Sequence, residues 1–408
     1  MRRRRARVGI AAAAACALIA AVLVADRGPL SPPPHHNLAF GERPAPQLRV
    51  QFGVDVARRT IALAVLSDLS GPGAATGRAV TEGERAYWHA RNAAGGLRGW
   101  RVRLRVRDTG GSAGRARDLL EHDASHVAAV QQSFGYAPTR SVLAFAATRK
   151  LLVGITGTQA APLFDRPEAL MTVAPDSVDT ANALRLLAER SPGARVAIVH
   201  DNGPSGEDAL AGYADAVLAS GLRDGGRRRL RGPEPASDVA AWLRRTHADA
   251  VVLAVGARRL AAIRAASRSL GFAPLWIVPG GWSLTGLRLG AHDRLWVSGQ
   301  VMPRGRSIAY AIGRAQAAAM ARVLQRAIAL DDLTPRGILD AKLTLGRIEL
   351  PRAAAVTFTP ALGPPTRASA ILAPARGGRW RVVAGPTAGA VARTLRFAAA
   401  RTLRPTHR

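Results

Sequence analysis

Residues 61–66 are six consecutive apolar positions, after which the chain turns small and polar through Ser67, Asp68, Ser70, Gly71, Pro72 and Gly73. A helix-like segment follows and stops at Gly95-Gly96. A buried run, a small-residue loop and a glycine-ended helix predict the opening βα unit of an α/β domain. Residues 101–107 then alternate strictly, with Val102, Leu104 and Val106 set against arginines. That period of two predicts a half-buried edge strand with a charged outer face. Residues 108–114 turn into a helix ending near Glu121, residues 127–130 predict a strand, and 131–137 a loop. A helix through Ala147 and a strand at 151–155, ending in Thr156-Gly157-Thr158, complete the first run.

After Asp176 the rhythm restarts. Helices are expected at 178–190, 206–219, 237–247 and 258–270, and strands at 195–200, 250–255, 275–278 and 295–301. A long Ala-rich helix follows at 309–329, and residues 355–359 and 379–383 are strand-like. Two such runs of similar size predict an α/β protein with two Rossmann-like lobes, each built on a mainly parallel sheet. Ligands of such sheets bind beyond the carboxyl ends of the strands, so the strand-to-helix loops carry the candidate chemistry.

The N-terminus has a different pattern. Arg2–Arg5 and Arg7 precede 18 nearly uninterrupted apolar residues at 8–25, predicting a signal peptide or membrane anchor over 1–25. An uncleaved anchor, a cleaved signal and a lipoprotein acylated at Cys16 are the three forms of that reading. Each puts the body outside the cytoplasmic membrane. Residues 26–52 form a Pro-rich linker expected to be extended, and 386–408 a basic tail expected to be solvated.

Composition adds two constraints. With 58 Lys+Arg against 28 Asp+Glu the formal charge is +30, and only Lys150 and Lys342 are lysines. The arginines are spread along the chain and aromatics make up 5%, which argues against a nucleic-acid binder. Cys16 is the only cysteine, so no internal disulfide can form.

Four loops of the first run carry candidate ligand contacts: Ser70 and Thr76 after the opening strand, Ser133, Gly135 and Tyr136, then Gly157 and Thr158, and finally Asp176. Hydroxyls and free backbone N–H groups suit a carboxylate or carbonyl, and Tyr136 offers a ring wall with a polar tip. The opening unit and the order of elements over residues 53–384 resemble the leucine/isoleucine/valine-binding family of type I periplasmic binding proteins. The resemblance implies two lobes joined by a multi-strand hinge, with residues 53–177 and about 303–350 in lobe 1, and 178–302 and about 351–385 in lobe 2. It also implies a solute carboxylate held at Ser133–Tyr136 and Gly157-Thr158, and an amino group held at Asp176. Over 303–348 the family's usual segment looks shortened.

Three positions depart from the family pattern. Thr76 stands where many amino-acid binders have an aromatic, as does Gly256, and Gly280 stands where they have a second acid; Trp282 is the nearest aromatic. Lacking that acid, and with Arg258 and Arg259 opening a helix, the chain is expected to favour an anionic solute over a plain amino acid. The implied function is that of an extracytoplasmic, monomeric solute-binding protein that hands a small polar solute to ABC permease subunits and meets the membrane through its N-terminus. A membrane-tethered sensor or interaction protein on the same fold is the alternative.

No enzyme, cofactor or metal is expected. Gly110–Gly114 fits G-x-S-x-G, but on an edge strand, so Ser112 reads as a helix cap. His122 and His126 are four apart across a helix end, without a third ligand.

Overall fold

A computed structural model describes residues 47–396, apart from 286, 306 and 362. The expected signal or anchor at 1–25, and Cys16 within it, lie outside the described residues. Among the described residues no helix is long and apolar enough to cross a membrane.

The chain enters through β1 (Arg49–Val50) and β2 (Val54–Asp55), and then runs β3 (Thr60–Ser67), α1 (Ala74–Ala93), β4 (Arg101–Asp108), α2 (Ala113–Asp123), β5 (Ala129–Phe134), α3 (Tyr136–Arg149), β6 (Val153–Thr156) and β7 (Ala169–Leu170). These strands form one sheet in the order β2-β3-β5-β6-β7, with β4 on β3. β1 stands apart, pairing in parallel with a later strand. The register sets Ile61, Leu63 and Val65 beside Val102, Leu104 and Val106, so the apolar rows of β3 and β4 coincide. On the edge strand, Arg105 and Arg107 fold back onto the buried carboxylate of Asp123.

The second run is α4 (Asp176–Arg190), β8 (Arg195–Asp201), α5 (Pro204–Ser220), β9 (Arg223–Leu230), α6 (Ala236–Thr246), β10 (Ala250–Ala254), α7 (Ala257–Ser269), β11 (Leu275–Pro279) and β12 (Leu295–Gly299). α8 (Ile308–Ala329), β13 (Asp332–Leu333), α9 (Pro335–Leu343), β14 (Gly346–Ile348), β15 (Val356–Phe358), β16 (Ser369–Pro374), β17 (Trp380–Thr387) and α10 (Ala390–Thr394) follow. The second sheet has the order β17-β16-β12-β11-β10-β8-β9, parallel except at β16 and β17. Val251, Val252 and Leu253 are all fully buried because the central strand β10 is covered on both faces. α8 returns to the first sheet and packs on α1 so closely that a Cβ on Gly313 would lie 2.1 Å from the Val80 carbonyl oxygen.

The chain therefore passes between the sheets three times: between β7 and α4, between β12 and α8, and between β15 and β16. The second and third crossings touch, since Met302 N–H donates to Arg352 O at 2.8 Å and Ala354 N–H to Gln300 O at 2.7 Å.

Several expectations are corrected. The third strand extends to Phe134, because Gln131 and Gln132 are buried and satisfied by Glu84, Trp88, Thr81 and Ser67, so residues 131–134 are not loop. β9, β16 and α9 were not anticipated. β9 is a glycine- and arginine-rich edge strand paired only with β8. The 303–348 segment holds α9 in addition to the expected long helix α8. The strand at 356–358 joins neither main sheet but pairs with β14. The linker reading over 26–52 runs too far, since β1 pairs with β13 and Leu48 packs on the core, while 26–46 lie outside the described residues. The tail is not wholly solvated: α10 lies on α4 and α5, with Ala392 and Leu395 buried.

Candidate functional site

The carboxyl ends of both sheets meet across a cleft of about 390 Å³. From the first sheet come Pro72, Gly73 and Thr76, then Phe134 and Tyr136, then Gly157 and Thr158, with Asp176 at the first crossing. From the second come Asp201 and the 203–206 turn, residues 253–257, Pro279 and Trp282.

Five helices begin at this cleft, and their N-cap residues Gly73, Gly135, Pro175, Gly203 and Gly256 supply no side-chain cap. The helices whose first turns are satisfied by a hydroxyl (Ser112 on α2, Ser307 on α8 and Thr334 on α9) begin away from it. A helix start without a cap leaves N–H donors and the positive end of the helix dipole for another partner. One uncapped start means little, and α6 has one elsewhere. At α4 the Asp208 carboxylate already takes the Ser177 N–H at 3.1 Å, but the four other starts, of α1, α3, α5 and α7, make the cleft walls rich in donors.

The walls also carry two buried polar atoms without a protein partner, Thr158 Oγ1 and Asp176 Oδ2. Burial, with the nearby Asp208 and Asp179 carboxyls, pushes Asp176 well above the usual carboxylate range, against hydrogen bonds from Ser205 and Gln159. Asp176 is thereby held toward its protonated form, in which it donates a hydrogen bond. Burial likewise raises Asp179 to about 7 and Asp208 to about 6.

Asp179, fully buried, accepts from Gln159 Nε2 at 2.7 Å, Gln300 Nε2 at 2.7 Å and Ser369 Oγ at 2.6 Å. Those donors follow β6, open the second crossing and close the third. One carboxyl on α4 thus ties all three crossings together.

The first wall is shaped by close approach. The Phe134 ring sits between two backbones: a Cβ on Gly157 would lie 2.5 Å from it and one on Gly73 2.8 Å. Gly157 also has φ +71, a conformation that favours glycine.

Of the residues expected at the site, Thr76, Tyr136, Gly157, Thr158, Asp176, Gly256 and Trp282 line the cleft, and Ser70, Ser133, Gly135 and Gly280 do not. Ser70 donates to Asp108 at 2.7 Å, helping to hold that carboxyl at about 2. The Ser133 hydroxyl is turned into the core against Thr139 at 3.0 Å. Gly135 contributes through its backbone, as the N-cap of α3 with φ +86. Gly280 is a contact between the two sides, where a Cβ would lie 2.7 Å from Gln159 Oε1.

Phe134 falls within the expected segment Ser133–Tyr136, though not among its expected contacts, and sequence reasoning missed Asp201 and Ser205. Asp201 and Ser205 lie in the β8–α5 loop, the equivalent in the second run of the loops singled out in the first. The second wall is therefore not depleted, although its acid is already engaged: Asp201 is ion-paired with Arg259 and accepts from Gly256 N–H at 2.8 Å. This corrects the reading of Arg259 as a free positive charge. Arg258 is exposed and does not line the cleft. Ser112 caps α2 as expected, accepting from Arg115 N–H.

Two α/β halves, three crossings and a donor-lined cleft between the carboxyl ends of two parallel sheets define a two-lobed solute-binding protein, which captures molecules rather than transforming them. The family model described as "Periplasmic binding protein" matches residues 60–388, and the chain belongs to that family. Its fold is similar to that of a fatty acid ABC transporter substrate-binding protein from Thermomonospora curvata, at 19% identity over 86% of this chain and 97% of that one, with a TM-score of 0.74. It is similar also to a branched chain amino acid ABC transporter protein from Thermus thermophilus with bound valine (16% identity, 84% and 99% coverage, TM-score 0.69). A leucine binding protein from Thermotoga maritima is a third (15% identity, 79% and 98% coverage, TM-score 0.62). No match was found among curated protein sequences.

Proposed function

We propose that the cleft closes over a small solute bearing a carboxylate and delivers it to an ABC permease from outside the cytoplasmic membrane. The observation that carries this reading is the donor-rich wall: four uncapped helix starts, of α1, α3, α5 and α7, around Asp176, an acid held toward its protonated, hydrogen-bond-donating form. A carboxylate gains charge-assisted hydrogen bonds from such donors. An ammonium gains little, since Asp201 is already neutralised by Arg259 and Asp176 is disfavoured as an anion.

The two sheets with their helices act as lobes: 53–177 with about 303–350, and 178–302 with about 351–385. A solute that touches both stabilises the closed form. Thr76, Tyr136, Gly157, Thr158, Asp176, Gly256 and Trp282 are the proposed contacts, joined by Phe134 and Ser205. The protein works as a monomer, and its N-terminal segment 1–25 serves for export or anchoring.

A thermal-shift screen tests the solute class, because a ligand that binds only the native state raises Tm. Monocarboxylates and dicarboxylates should raise it by several degrees. If cationic amines do so and carboxylates do not, the reading fails.

A further inference from the structure

A second cavity of about 460 Å³ lies behind the cleft wall. The 3-10 turn Trp282–Leu284 separates them: Trp282 lines the cleft, while Gly281 and Leu284 line the second cavity. Its body is apolar, made by Leu284, Leu287, Leu289, Ile308 and Trp380. Leu284 and Ile308 are buried, whereas Leu287, Leu289 and Trp380 are half-buried against the main core.

Two arginines, Arg288 and Arg379, also line it, and both are exposed. No described acid pairs with either, although fourteen ion pairs are formed among the described residues and thirteen of them use arginine. The two reach the cavity from different segments: Arg288 follows the 3-10 turn, and Arg379 lies at the tip of the β16–β17 hairpin. Apolar walls with two cations at the rim complement a molecule with a hydrocarbon body and an anionic head.

We propose that this cavity is a second ligand site, separate from the cleft, for a small amphipathic anion such as a medium-chain carboxylate. The hydrocarbon lies along Leu284, Leu287 and Ile308, and the head pairs with Arg288 and Arg379.

Calorimetric titration of the full chain with octanoate tests it, using 1-octanol and inorganic phosphate as probes lacking the head or the body. Two variants separate the sites: Gly256→Trp fills the cleft, and the double variant Arg288→Glu/Arg379→Glu reverses the rim charge at exposed positions. Octanoate should still bind Gly256→Trp, and both control probes should bind more weakly. Made in the Gly256→Trp background, the double variant should lose roughly tenfold or more in affinity, the scale of losing hydrogen bonds to a charged group. Octanoate binding that Gly256→Trp abolishes, or that the double variant leaves unchanged in the Gly256→Trp background, overturns the second site without touching the cleft proposal.

Discussion

Gln159 Oε1 accepts a hydrogen bond from Trp282 Nε1 at 3.1 Å, joining the loop after β6 to the turn after β11 at the base of the cleft. The same carboxamide donates from Nε2 to Asp179. One fully spanned side chain therefore links an aromatic wall of the cleft to the carboxyl that gathers the three crossings. Replacing it by alanine leaves Trp282 Nε1 without this acceptor and removes one donor from Asp179. Gln159→Ala should lower stability by about 1–3 kcal/mol, the cost of unpairing buried polar groups, and weaken solute binding about tenfold. Denaturant titration and calorimetry read the two effects. Unchanged binding would separate Trp282 from the site.

The three raised carboxyls predict a pH dependence with a defined sign. An aspartate in the unfolded chain ionises near 3.8, whereas Asp208 does so near 6 and Asp179 near 7 in the folded protein, with Asp176 also raised. Between those values the folded state binds more protons, so their contribution to stability is fully present below the unfolded value and is lost as pH rises toward 7. Asp108 and Asp123 are held low and act in the opposite direction in a more acidic window. Asp179→Asn should be less stable than the wild type at pH 5, because its amide nitrogen cannot accept from any of the three donors, whereas a protonated carboxyl oxygen still can. The difference should shrink at pH 8, where Asp179 itself is ionised and buried. Urea titrations across that range measure it, and a difference that grows with pH would contradict the assignment.

Gly157→Ala adds a Cβ 2.5 Å from the Phe134 ring at a residue with φ +71. Strain of that kind costs about 1–3 kcal/mol. The ring must move into the cleft, so Tm should fall and solute affinity with it. Gly193→Ala is the control: its φ is also positive, at +72, but nothing lies within 4 Å of the added carbon. Equal losses of affinity in both variants would show that Phe134 does not shape the site.

Arg259→Ala removes the partner of Asp201 and leaves a carboxylate at the second wall of the cleft. Affinity for a carboxylate solute should fall several-fold, more at low salt than at high salt, because the added repulsion is partly screened. Calorimetry at two ionic strengths checks this. Tighter binding of a carboxylate would reverse the assigned electrostatics.

Much of the architecture was legible because the central strands are covered on both faces and read as continuous apolar runs. Residues 61–66, 250–255 and 275–278 are the clearest cases. Edge elements were harder. β9 hides behind Gly225, Gly226 and three successive arginines, since a strand paired on one side needs little apolar surface. The end of β5 was concealed by two glutamines whose burial depends on Glu84, Trp88, Thr81 and Ser67, partners far away in sequence. At the site, glycines and small polar residues marked the first wall. Asp201 and Ser205 lie at the equivalent turn of the second run, where their residue types alone mark only a loop between strand and helix. Ser133 misled for a local reason: its position on β5 turns the hydroxyl toward Thr139 and away from the cleft.

The central claim is that a carboxylate solute binds between the two sheets, against the uncapped helix starts. Its most direct test is calorimetric titration of the wild type and of Gly256→Trp with the short, non-amphipathic carboxylate that gives the largest thermal shift. The account predicts saturable one-to-one binding to the wild type and none to the variant, whose added indole occupies the start of α7. Equal affinity in the two proteins would place the solute elsewhere and contradict it.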